Sequence, residues 1–166
     1  MAVDIGSEAT DRPAEDVNPN YTFILSASPA SKSGIITSVD VWATTDMSGL
    51  KIATFYRPDP SGHPNNFTAR AVQTIGDVTA GSKQTIPNLS IAVEIGDYIG
   101  FIWTGGSLDA GTSFGDNIWW KSGDRTDCDD FEFSITTDNT RSVGGYITTP
   151  IAGSPVVPAV VALDLI

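Results

Sequence analysis

Along Ile91–Trp103, IAVEIGDYIGFIW, the hydrophobic pattern changes character halfway. Ile91, Val93 and Ile95 alternate with Ala92 and Glu94, a period of two that puts the branched side chains on one face of a strand. Gly96-Asp97 then predicts a turn, since glycine accepts a positive φ and an aspartate carboxylate can bond nearby backbone. Tyr98–Trp103 is almost continuously apolar, as in a strand buried on both faces. A helix is the poorer reading, because the apolar spacing is not three-to-four and Gly96 and Gly100 both weaken a helix interior. The stretch predicts a hairpin-like pair of strands within an antiparallel β-sandwich.

The same period recurs elsewhere. Strands are expected at Tyr21–Ala27, Ile35–Ala43, Leu50–Arg57, Phe67–Ile75, Gln84–Ile86, Ile118–Lys121, Phe131–Thr136 and Gly145–Thr148. Turn-forming residues mark loops at Ser28–Gly34, Thr44–Gly49, Pro58–Asn66, Gly76–Lys83, Gly105–Asn117 and Ser122–Asp130. No segment reads as an amphipathic helix. Many short strands at short intervals predict an all-β fold, an antiparallel β-sandwich of jelly-roll type. Its core is expected from Val39, Val41, Ile52, Phe55, Ile91, Val93, Ile99, Phe101, Phe131, Phe133 and Ile135. Trp42 and Trp103 are expected to join it.

Three regions follow from this reading: an extended N-terminal segment over residues 1–20, the sandwich over 21–149, and a C-terminal strand or arm over 150–166. Val3 and Ile5 in the first could add a short edge strand. The last, PIAGSPVVPAVVALDLI, is too apolar for a free solvated end. Beyond Pro158, Val161, Leu163 and Leu165 alternate with Ala162 and Asp164. That pattern predicts a strand added to a sheet edge of the same chain, in preference to an arm reaching a neighbour.

Charge narrows the partners. The net charge of −11 leaves no Lys/Arg surface for nucleic acid and disfavours anionic membranes. The apolar run Ser142–Leu163 is broken by proline and glycine and is not expected to span a bilayer. The first residues lack a basic start and an apolar run, so no secretory leader is expected. The single cysteine, Cys128, is expected to be a free thiol.

Candidate chemistry is sparse. His63, the one histidine, lies in the proline-rich loop, away in sequence from Cys128 and from any nucleophile motif. Asp97, Asp109, Asp116 and Asp124 could supply a pair of catalytic carboxylates, but nothing sets their spacing. Asp124–Asp130, DRTDCDD, is the densest acidic cluster, yet it lacks the spacing and central glycine of a calcium loop. No catalytic residue, metal ligand or cofactor is therefore assigned. Trp119 and Trp120 are the candidate ligand or interface residues. On a strand they must point to opposite faces, and an exposed one could stack on a sugar or serve a protein interface.

Four phrases carry a resemblance: VDIGSEATDR (Val3–Arg12), ITSVDVWATTDMSGLKIATFY (Ile36–Tyr56), TIGDVTAGSKQTI (Thr74–Ile86) and VEIGDYIGF (Val93–Phe101). Together they resemble small β-sandwich proteins encoded by tailed phages and prophages, over most of residues 3–148. The resemblance implies a non-enzymatic virion protein, a capsid decoration or a head or tail accessory. Its partners would be other virion proteins such as the major capsid protein, and it would form a homo-oligomer. It would be made in the host cytoplasm and reside in the virion. Release by lysis needs no leader. The alternative is a carbohydrate-binding or receptor-binding module whose partner is a host-surface glycan. A hydrolase with dispersed carboxylates ranks last.

Overall fold

The computed structural model describes residues 2–150. The chain forms β1 (Ile5–Gly6), β2 (Ala14–Asp16), β3 (Tyr21–Leu25), β4 (Gly34–Tyr56), β5 (Asn66–Val78) and β6 (Lys83–Ile86). It continues with β7 (Ile91–Val93), β8 (Tyr98–Ile102), β9 (Gly105–Ser122), β10 (Phe131–Glu132), β11 (Ser134–Arg141) and β12 (Val143–Thr148). The fold is the all-β, antiparallel sandwich that the period-two pattern predicts. No helix among the described residues is long and apolar enough to cross a membrane.

β4 belongs to both layers. Its first part, rich in β-branched residues, pairs with β12, β6 and β7. Its second part pairs with β5 and β8, and β3, β9 and β11 extend that layer. The N-terminal segment supplies β1 on β12 and β2 on β9. Ile36, Val39, Val41, Ile91 and Val143 of the first layer meet Phe23, Leu25, Ile52, Ile99, Phe101 and Trp103 of the second in the main core. The second layer also buries its outer face. Ile24, Ala53, Phe55 and Trp119, one residue out of phase with the inward set, pack beneath Phe67 and Phe133. This double burial is why Tyr98–Trp103 reads as a continuous apolar run.

Several expectations are corrected. Ile91–Trp103 is not a hairpin: β7 pairs with Gly34–Ile36 and β8 with Lys51–Phe55, at opposite ends of β4. The turn between them crosses from one layer to the other. Gly96 has φ +90° there, and Ile95, expected on the buried face, is 68% exposed. The buried Asp97 carboxylate accepts the Glu94 N–H at 2.9 Å and two guanidinium donors of Arg70. These bonds raise the Arg70 guanidinium above its ordinary value.

Thr44–Gly49 and Gly105–Asn117, expected as loops, are interior parts of β4 and β9. The polar residues that suggested loops are satisfied across the sheet. Buried Asp109 accepts the Thr44 hydroxyl and the Arg12 N–H, while Leu108 and Met47 anchor the two stretches in the core. Gly106, φ +84°, is required because a Cβ there would lie 2.0 Å from the Asp46 carbonyl.

Of the expected core, Phe131 is half-buried and Ile135 is 42% exposed. The alternation breaks because the chain changes partner at Phe133, from β5 through β10 to β9 through β11. Trp103 is fully buried, whereas Trp42 is only half-buried. The strand or arm expected over 150–166 lies outside the described residues beyond Pro150.

Candidate functional site

Trp119 and Trp120 stand on β9 between β3 and β11. Trp119 lies opposite Ile24 and Ile135, and Trp120 opposite Phe23 and Ser134. Their side chains therefore leave opposite faces of the layer. Trp119 is 5% exposed and belongs to the outer cluster, with ring centroids 4.8 Å from Phe67 and 5.4 Å from Tyr98. Its indole N–H donates to Asn65 Oδ1 at 2.9 Å, so it is a satisfied core residue.

Trp120 is half-buried. It packs against the rim of the main core and lines a cavity of about 300 Å³. The other walls are Tyr21, Phe23, Ile118, Asn18, Thr136, Asn139 and Arg141. Tyr21 sits 6.2 Å from Trp120 between ring centroids, and the indole N–H donates to Thr136 Oγ1 at 3.0 Å.

The charge in this wall is compensated. Arg141 Nε donates to Asp16 Oδ2 at 2.7 Å, and both side chains are buried. Arg141 Nη1 donates to Asn139 Oδ1 and to the Thr140 carbonyl, and the guanidinium carbon lies 5.4 Å from the Phe23 ring centre. The Asn18 backbone N–H and Nδ2 both donate to Asp16 Oδ1, at 3.0 and 2.7 Å. A buried ion pair needs this kind of saturation, because desolvation otherwise offsets the attraction. No carboxylate, thiol or imidazole lines the cavity. Its aromatic and amide groups can stack and hydrogen-bond.

The remaining candidates are dispersed. His63 is exposed, and its Nδ1 lies 3.1 Å from Asp59 Oδ2. The Gly62 N–H and then His63 hold the Asp59 carboxyl below its usual range. Cys128 is half-buried, its thiol donates to the Phe67 carbonyl at 3.3 Å, and burial pushes that thiol up. Asp97 is held by Arg70, Asp109 by Thr44 and Arg12, Asp116 by Ser113, and Asp124 by Lys51 and Thr126.

The acidic loop does not converge either. Asp129 accepts the Thr68 hydroxyl and Asp130 accepts Asn66 Nδ2. Among the described residues, no three His, Cys, Asp or Glu side chains gather in a way that could hold a metal ion. Burial alone would raise Asp124, but hydrogen bonds from Lys51 and Thr126 outweigh it and bring the carboxyl down to about 2.

Sequence reasoning singled out Trp120 but not its companions. Asn18, Tyr21, Asn139 and Arg141 come from distant segments, and Arg141 meets Asp16 across 125 positions. Only the strand pairing brings them together. Compared with known proteins, the chain matches no family model and no curated relative.

Proposed function

We propose that the chain is a non-enzymatic accessory protein of a phage particle, a capsid decoration or head or tail component that works by surface contact. The observation that carries the binding, non-catalytic part is the wall of the Trp120 cavity. It joins aromatic rings to amides and a neutralised arginine, with no carboxylate, thiol or imidazole among its lining residues. The carboxylates that could have paired for hydrolysis are each engaged in separate contacts between strands or within loops. The virion assignment rests on the resemblance over residues 3–148. The acidic surface suits a protein held at high local concentration without association with nucleic acid. Partners on this reading are the major capsid protein or other virion proteins, and further copies of the chain.

Antibody labelling of particles released by cells that carry the gene tests this. Label at a fixed position on heads or tails is the expected result. Chain recovered only in the soluble lysate, with bare particles, would contradict it.

A second reading, a carbohydrate- or receptor-binding module, is favoured by one specific feature. Trp120 and Tyr21, their rings tilted by 49°, line a partly apolar cavity bordered by side-chain amides. The two readings are compatible, because an accessory protein on a particle surface can also hold the particle to a host glycan.

A further inference from the structure

We propose that the Trp120 cavity is a subsite for one uncharged sugar ring, in which the ring stacks on Trp120 and its hydroxyls bond to Asn18 and Asn139. This rests on the second reading above and specifies its site and ligand class. Three observations carry it.

The first is size. A cavity of about 300 Å³ is at the small end of ligand sites, which run from about 300 to 1,000 Å³. It suits a single ring rather than a long chain.

The second is the hydrogen-bonding polarity left at the wall. Arginine can only donate, so the contact from Arg141 Nη1 fixes the Asn139 amide with Oδ1 inward. A carboxylate can only accept, so the contact to Asp16 fixes the Asn18 amide with Nδ2 inward. Asn139 Nδ2 is thus left as a donor and Asn18 Oδ1 as an acceptor. Neither bonds another described residue. The Tyr21 hydroxyl likewise has no partner among the described residues. A donor, an acceptor and a hydroxyl around one cavity match sugar hydroxyls, which both donate and accept. A carboxylate or phosphate, which only accepts, could use the Asn139 Nδ2 and Arg141 Nη2 donors but would leave Asn18 Oδ1 unmatched.

The third is charge. The one cation in the wall is compensated by Asp16 at 2.7 Å, and the chain carries a net charge of −11. An acidic sugar would meet neither a free cation nor an attractive field. An aromatic face beside compensated polar groups is instead the surface that an uncharged ring, apolar on its C–H face, can cover.

A glycan array followed by calorimetric titration tests the proposal with the full chain. Neutral oligosaccharides of hexoses and N-acetylhexosamines are compared with uronate and sialic acid glycans. The wild type should bind at least one neutral glycan and no acidic one. Trp120→Ala should weaken that binding about tenfold, the equivalent of one lost aromatic stacking contact. Trp120→Phe should retain most of it. Asn18 is exposed, and truncating its side chain leaves its backbone N–H on Asp16 Oδ1, so Asn18→Ala, with folding checked by thermal melting, should weaken binding severalfold even if Trp120→Ala does not fold. Neutral-glycan binding unaffected by Trp120→Ala and Asn18→Ala overturns the site while leaving the sugar-binding reading intact. Binding of acidic glycans alone overturns the ligand class. No glycan binding at all overturns both the proposal and the reading beneath it.

Discussion

Trp119 and Trp120 are adjacent in the chain and opposite in circumstance. Both extend from the same strand, and each indole N–H has one hydrogen-bond partner. On the Trp119 side, Phe67, Tyr98 and Phe133 close over the sheet as a second apolar cluster. On the Trp120 side, the neighbours are Tyr21, amides and a compensated arginine around a cavity. Whether an aromatic becomes core or contact surface is decided here by the element above it, not by its own strand. Burial on the first side is a stability feature; partial exposure on the second is a candidate binding feature.

The sharpest way to break this contrast is to truncate each indole. Trp119→Ala should destabilise the fold by about 3–5 kcal/mol, the usual range for deleting a buried aromatic. Trp120→Ala removes less buried surface and should cost about 1–2 kcal/mol. Denaturant titration of both variants measures the difference, and equal losses would show that the two faces are equally closed.

Next in size is the fit of the closed face. A Cβ on Gly100 would lie 2.4 Å from the Phe55 ring and 2.7 Å from the Phe23 carbonyl. Gly100→Ala should therefore destabilise by about 1–3 kcal/mol through overpacking. A neutral Gly100→Ala in the same titration would mean that both the Phe55 ring and the Phe23 backbone give way.

Less of this was legible beforehand than the strand pattern suggests. Period-two alternation located most strands, because each layer has an apolar inward face. It failed where polar residues face one another across strands. Thr44–Gly49 and Gly105–Asn117 read as loops, yet Thr44, Asp109, Thr45 and Ser107 bond to one another between β4 and β9. It failed again at Ile135, where the chain changes partner and the phase of burial shifts. Of the candidate site, Trp120 was visible as half of a tryptophan pair. Its amide and arginine companions were not, since no local signal marks a contact across more than a hundred positions such as Arg141 with Asp16.

Smaller effects lie away from both aromatic faces. Tyr146 donates to the buried Asp40 carboxylate at 2.7 Å, and this bond, then burial, pushes the phenol up to about 12. A raised folded value stabilises the protein fully below the unfolded value of about 10 and loses that contribution as pH rises towards 12. Absorbance titration should show a late-ionising phenol that Tyr146→Phe removes; an unchanged titration curve in that variant would contradict the assignment.

The least effect is expected at Asp124. Its folded value of about 2 is depressed, so its contribution is present above about 4 and lost as pH falls towards 2. Lys51 and Asp124 are each more than a third exposed, so solvent and salt screen the pair and its worth is at most about 1 kcal/mol. The stability gap between wild type and Lys51→Met should close between pH 4 and pH 2. A gap that stays constant with pH would assign the effect to packing of the lysine stem.

The most direct test of the account follows the four indole N–H signals by nitrogen-15 NMR while a neutral glycan is titrated. The Trp120 signal, assigned by its loss in Trp120→Phe, should move with saturation, while those of Trp119 and Trp103 stay in place. Movement of the Trp119 signal without that of Trp120, or no movement of any indole with any neutral glycan on the array, would contradict a binding site at Trp120.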